Sequence, residues 1–220
     1  MTELDAQQQN IDLHRAKKRS CIVRMIMMWL FIGAVVILAI IYFRSKVVRD
    51  SVQIQAYLDD NYNMALPEGF FPYSMNNFMG VFLVSFWDKA NVREDGRSKN
   101  VLSIFSKSDW HGKKLEQVLE DALDSLPKLL AKNEFHTEEK SVETVELDGE
   151  QITIYRFKGQ ANLDDVLVNA TTSFRYMLGP QGPVQLQALG PEETFPESVQ
   201  LTTLASFKAL RPQGNVNQQR

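Results

Sequence analysis

LDGEQITIYRFK, residues 147–158, is the stretch from which the fold is read. Asp148-Gly149 is a two-residue turn of the kind that joins paired strands, because both residues tolerate the left-handed backbone it needs. Ahead of it, Ser141 to Leu147 carries Val145 and Leu147. Behind it, Gln151 to Lys158 sets Ile152 and Ile154 on one face and Tyr155 and Phe157 on the other, since strand side chains alternate. The pattern predicts an antiparallel hairpin with apolar residues on both faces.

Working outward toward the C-terminus, Gly159 to Val168 reads as a loop or short helix. Ala170 to Leu178 then alternates Phe174, Tyr176 and Leu178 as a further strand. Gly179-Pro180-Gln181-Gly182-Pro183 turns the chain, and Val184 to Leu189 pairs back. Thr194 and Glu197 have the spacing of a capping box, with Pro196 in the first helical turn. The helix they open carries Val199, Leu201, Leu204, Ala205, Phe207 and Leu210.

Toward the N-terminus, Lys114 to Lys132 repeats apolar residues at three- and four-residue spacing from Leu115 to Leu130, which predicts an amphipathic helix. Glu116, Gln117, Glu120, Asp121 and Asp124 fall on its other side, and Pro127 is expected to kink it or end its first half. Before it, Asp109 to Gly112 is a turn, Val101 to Ser106 a strand, and Val92 to Asn100 a charged hairpin loop. Phe70 to Trp87 is the most aromatic part of the chain. Its run from Phe78 is read as a strand buried on both faces, with Phe78, Phe82 and Phe86 sharing one of them. Leu66-Pro67-Glu68-Gly69 is a break. The order strand, strand, helix, hairpin, hairpin, helix predicts an α+β fold, one antiparallel sheet flanked by helices.

Met25 to Phe43 (MIMMWLFIGAVVILAIIYF) has no charge and no proline. At helical rise it covers about 30 Å, the thickness of a hydrocarbon core, and it predicts one N-terminal transmembrane helix. Five Lys/Arg precede it from Arg15 to Arg24, and three follow from Arg44 to Arg49, so the N-terminus is expected in the cytoplasm. A cleaved signal peptide competes with this reading. Its apolar core is shorter and ends in small residues, whereas this one runs into Ile40, Ile41, Tyr42 and Phe43, which favours an uncleaved anchor. The expected organisation is a basic cytoplasmic tail at 1–20, the transmembrane helix at 21–44, a stalk at 45–62, an exported domain at 63–210 and a disordered tail at 211–220. The bacterial inner membrane is the expected location, with the domain periplasmic or extracellular.

Charge divides along this line. Residues 1–50 are net +4 and residues 51–220 net −7. The basic part suits anionic headgroups, and the acidic domain argues against nucleic acid as a partner. Cys21 is the one cysteine in the sequence, so no intrachain disulfide forms.

The region from about Asn63 to Leu210 resembles the Mog1/PsbP-like family. The residues that carry this are LPEGF at 66–70, the early strand pair, LEQVLEDALDSLPKLL at 115–130 and LDGEQITIYRF at 147–157, then FRYMLGPQGPVQLQAL at 174–189 and the closing SFKAL at 206–210. The resemblance implies an antiparallel sheet sandwiched by helices and used mostly for binding or assembly. It carries over no site residues, and the N-terminal anchor departs from the soluble founding members.

The sequence holds no G-x-S-x-G, P-loop or H-E-x-x-H. No catalytic, cofactor-binding or metal-binding residue is assigned, and no cofactor is expected. His111, Asp164, Asp165 and Arg175 are the group to test for an enzyme. Arg156 and Arg175 either share a sheet face and hold an anion or pair with nearby carboxylates, and pairing is the favoured reading. Asn169-Ala170-Thr171 is an N-glycosylation sequon that matters only in a eukaryotic secretory pathway. The expected function is that of a non-catalytic, membrane-tethered binding or assembly module with a protein partner, whose contacts would be Phe70, Phe71, Tyr73, Trp87 and Trp110. The alternatives are a regulatory protein that signals to its cytoplasmic tail, and an enzyme with an unrecognised site.

Overall fold

The computed structural model describes residues 25, 27–38, 42, 46–132, 134–163 and 165–210. The chain divides into two compact units between Lys46 and Val47. In the first, residues 27–38 form helix α1. Its large apolar side chains are exposed around the helix, Trp29, Phe31 and Leu38 among them. Among the described residues no helix is long and apolar enough to cross a membrane. Much of the expected span of 21–44 lies outside them, as do the tails at 1–20 and 211–220.

The second unit is α+β. Its strands are β1 (Val47–Val48), β2 (Tyr62–Asn63), β3 (Phe70–Phe78), β4 (Val81–Asp88), β5 (Val101–Lys107), β6 (Phe135–Leu147), β7 (Glu150–Leu163), β8 (Val166–Gly179), β9 (Gly182–Pro191) and β10 (Lys208–Ala209). Helices α2 (Ser51–Asn61), α3 (Leu115–Lys132) and α4 (Glu197–Ser206) connect them. Eight strands form one sheet in the order β1-β3-β4-β5-β9-β8-β7-β6, and β2 pairs with β10 apart from it. The paired strands run antiparallel throughout.

Helices lie on both faces because the strands are apolar on both. On one face α2 and α4 bury Ile54, Leu58, Leu204 and Phe207 against Val84, Phe86, Ile104, Ile154 and Leu186. On the other, α3 buries Val118, Ala122, Leu126 and Leu130 against Phe135, Phe157, Phe174 and Tyr176. The stripe of α3 matches its sequence spacing, and the helix runs through Pro127.

Several sequence expectations are corrected. Of the expected stalk at 45–62, residues 47–62 are part of the domain. Val47 and Val48 pair with β3, and α2 starts afresh at Asp50, whose carboxylate accepts a hydrogen bond from the Val52 amide at 2.9 Å. Ile54 and Leu58 then bury its inner side. Because this cap satisfies an otherwise free amide, Asp50→Ala is expected to cost about 1 kcal/mol, read as a lower thermal midpoint.

Residues 159–168 are not a loop. β7 continues to Leu163 and β8 begins at Val166, with Asp165 at φ +60° in the turn between them. Position 159 in this strand requires glycine, because a Cβ there would fall on the carbonyl oxygen of His136, next to the irregularity in β6. The aromatic run is two strands. Met79 and Gly80, both at positive φ, make a turn of the primed type. That turn places Phe78 opposite Val81 and parts it from Phe82 and Phe86. The capping box does not form either: Thr194 donates its hydroxyl to Asn100 Oδ1 at 2.9 Å, and Glu197 pairs with Arg156 and Lys158.

Candidate functional site

β4 was expected to be buried on both faces, yet only Val84, Phe86 and Asp88 are buried. Val81, Leu83, Ser85 and Trp87, on the alternate positions, are half-buried. Helix cover explains the difference. On their side of the sheet α3 packs over β6 and β8, and its cluster reaches no further than Phe105 and Leu189. Among the described residues of this unit, no helix packs over this face of β3, β4 and β5.

The strand register arranges this face in rows. Phe71, Trp87, Val101 and Leu189 are successive cross-strand partners. Ser74, Ser85, Ser103 and Gln187 form the next row, and Asn76, Leu83, Phe105 and Gln185 the third. A row of small polar side chains thus lies between two rows of bulky ones. Cross-strand neighbours stand close enough for their side chains to act as one surface.

A register shift between Pro72 and Ser74 sets Tyr73 beside this row. Its ring stacks on Trp87 with centroids 3.4 Å apart and planes 7° apart. Phe71 meets Tyr73 edge-on at 6.4 Å. The Lys89 ammonium lies 4.5 Å from the Phe71 ring centroid, within reach of the attraction between a cation and the negative face of a ring. At the other end of the face, Lys107 stands 5.7 Å from the rings of both Phe105 and Trp110. Neither lysine has a carboxylate partner among the described residues. β3 and β5 carry no Asp or Glu, and Asp88, the only one of β4, is on the opposite face.

Of the five expected contact residues the structure therefore unites Phe71, Tyr73 and Trp87. Phe70 packs on the far face against Phe195, at 5.0 Å between centroids. Trp110 is 6 % exposed and belongs to the α3 core. Lys89 and Ser85 stand on the same face and were not singled out in the sequence, while Ser103 beside them on β5 is buried. Alternation along VFLVSFW marks Ser85 and Trp87 as one face, but only the pairing shows that the face is bare.

Asp88 holds this corner in place. It is 5 % exposed and accepts hydrogen bonds from the Ala90 amide at 2.8 Å, Asn91 Nδ2 at 2.6 Å and Asn100 Nδ2 at 2.8 Å. Burial alone raises its pKa. The hydrogen bonds from Asn91 and Asn100 and from the backbone of Ala90 and Asn91 outweigh that and hold the carboxyl below its ordinary value.

The two arginines share a face, as one expectation had it, but they hold helix α4 and not a free anion. Arg156 pairs with Glu197 at the start of α4 and with Glu143 at 2.5 Å. Arg175 Nη1 donates to the carbonyls of Leu204 at 2.7 Å, Ala205 at 3.1 Å and Phe207 at 2.8 Å. Between them Gln200 accepts from the Ser173 hydroxyl at 2.9 Å and donates to the Thr171 and Phe195 carbonyls.

The group proposed for catalysis does not converge. Arg175 is spent on α4, and Asp165 precedes β8. His111 lies against Gly182 beyond the other end of that strand, which at about 3.3 Å per residue is roughly 40 Å long. His111 lines a cavity of about 110 Å³ with Tyr57, Tyr62 and Ser108. Asp164 lies outside the described residues. Among the described residues no group of three His, Cys, Asp or Glu is placed to hold a metal ion.

No family model matches the sequence, and no curated protein matches it. Solved structures do. One is the solution structure of cyanobacterial PsbP (CyanoP) from Synechocystis sp. PCC 6803, at 15 % identity and a TM-score of 0.39, covering 74 % of this chain and 91 % of that one. The domain is similar to PsbP. A second is LpqN, described as involved in cell envelope biogenesis of Mycobacterium tuberculosis, at 10 % identity and a TM-score of 0.33, covering 67 % and 82 %.

Proposed function

We propose that this chain is a membrane-anchored, non-catalytic binding module that holds a protein partner on the bare face of β3, β4 and β5. The observation that carries the reading is the half-buried Phe71–Tyr73–Trp87 cluster on a part of the sheet that no helix covers among the described residues of this unit. Large aromatic side chains with some exposure are the side chains that most often dominate protein interfaces. The uncharged stretch from Met25 to Phe43 supplies the anchor, and the basic residues before it set the domain outside the cytoplasm.

The test is copurification from solubilised membranes with the full chain, a version lacking residues 1–44, and Trp87→Ala. A partner is expected with the first two. Trp87→Ala is expected to weaken it by about 2 kcal/mol, roughly thirtyfold, as a central aromatic does. Lys89→Glu serves as a second variant, since its side chain supports no core. A partner indifferent to both changes sinks the reading.

A further inference from the structure

From the chemistry of this face we infer that its occupant is an amphipathic helix with acidic flanks, an inference that rests on the docking reading above. The argument starts with what covers the rest of the sheet. On the opposite face α2 and α4 lie over the strands. On the same face α3 covers β6 and β8, on the far side of β9. A helix about 10 Å wide is enough to cover two or three strands spaced about 4.8 Å apart. The bare region has the same width.

The charge of the face then selects the flanks. Its cations are Lys89 and Lys107, one at each end, each resting on an aromatic ring and unpaired with a carboxylate among the described residues. Its strands offer no carboxylate to a basic partner. Apolar residues on a helix would meet Trp87, Val101, Leu83 and Phe105, and carboxylates at its sides would reach the two ammonium groups. Hydrogen bonding agrees. The side chains of Ser74, Ser85 and Ser103 make no hydrogen bond among the described residues, and Asn76 Oδ1 is buried without a donor. A partner that closes over them must offer them polar side chains beside its apolar ones, because a buried hydroxyl or amide without a hydrogen bond is costly.

α3 itself has the required chemistry, an apolar stripe flanked by Glu116, Glu120, Asp121 and Asp124. A synthetic peptide of residues 114–132 with Pro127→Ala is therefore a suitable probe, and the same peptide with those four acids changed to lysine is its mate. Both are offered to the full chain in detergent, with a photoreactive phenylalanine analogue in place of Trp87. The acidic peptide is expected to cross-link at least fivefold more than its mate, with an advantage that shrinks at high salt. Lys89→Glu together with Lys107→Glu is expected to reverse the preference.

Equal or stronger cross-linking of the lysine peptide overturns the acidic assignment. So does cross-linking of the chain to a second copy of itself, or the absence of a cross-link with either peptide. The docking reading is judged separately: a partner that copurifies and depends on Trp87 leaves it standing when the helix assignment fails, and the loss of both results removes both.

Discussion

Arg175→Met lowers the stability of the domain by about 4 kcal/mol, because three buried carbonyls lose their donor. The reason is the C-terminus of α4. A helix leaves its last four carbonyls without intrahelical partners, and its macrodipole makes that end negative. Leu204, Ala205 and Phe207 present such carbonyls within the core, and all three turn to one guanidinium nitrogen. Arg175 is 8 % exposed. Burial lowers its pKa, opposed by the charge of Glu150, but a guanidinium stays protonated at any working pH. Methionine fills much of the volume and donates nothing, so the variant isolates the polar loss. Each orphaned buried carbonyl costs about 1–3 kcal/mol. Denaturant unfolding checks the result. A loss under 1 kcal/mol would mean that α4 is held by its apolar contacts alone. Arg175→Lys is expected to fall between the two, because an ammonium reaches fewer of the carbonyls at once.

Asp88→Ala costs about 3 kcal/mol, as three donors at Ala90, Asn91 and Asn100 lose one acceptor. The consequence extends beyond stability, since Trp87 and Lys89 are its neighbours in sequence. The variant is therefore expected to weaken partner binding as well, even where it folds fully. The effect depends on pH with a definite sign. Asp88 has a folded-state pKa below its unfolded value, so its contribution is present above the unfolded value, about 3.9. It is lost as pH falls through the folded value. The difference between wild type and Asp88→Ala is thus constant at neutral pH and narrows below about pH 4. A difference that widens on acidification would contradict the assignment.

How much of this was legible in the sequence depends on whether the deciding contacts were local. Asp148-Gly149 announced its turn because both residues suit left-handed backbone, and both adopt positive φ. Met79-Gly80 makes a similar turn without the signal, since methionine rarely takes that conformation. The α3 stripe was readable because its cover is continuous. The start of α4 was misread because tertiary partners outbid the local ones: Asn100, 94 residues away, took Thr194, and the β-sheet arginine took Glu197. Asp50 marks a helix start, but Val47 to Asp60 also continues a helical pattern from the anchor, and only burial of Ile54 and Leu58 decides between them. Phe71, Tyr73 and Trp87 could be chosen from composition. That they form one cluster, apart from Phe70 and Trp110, follows from a bulge and from pairing that no local pattern contains.

The strand order has a kinetic consequence. β3 to β5 form one meander and β6 to β9 another, each built from neighbours in sequence. Within the sheet they meet where β5 pairs with β9, at pairs such as Ile104 with Leu186, some 80 residues apart. Closing so long a loop costs entropy before any contact repays it, and non-local pairings of this kind slow folding. Until the seam closes, VLSIFSK presents an open strand edge rich in β-formers, the kind of segment that recruits other chains. The hazard of misassembly in this protein is concentrated in that joint, and a chain that has not yet folded most needs protection there.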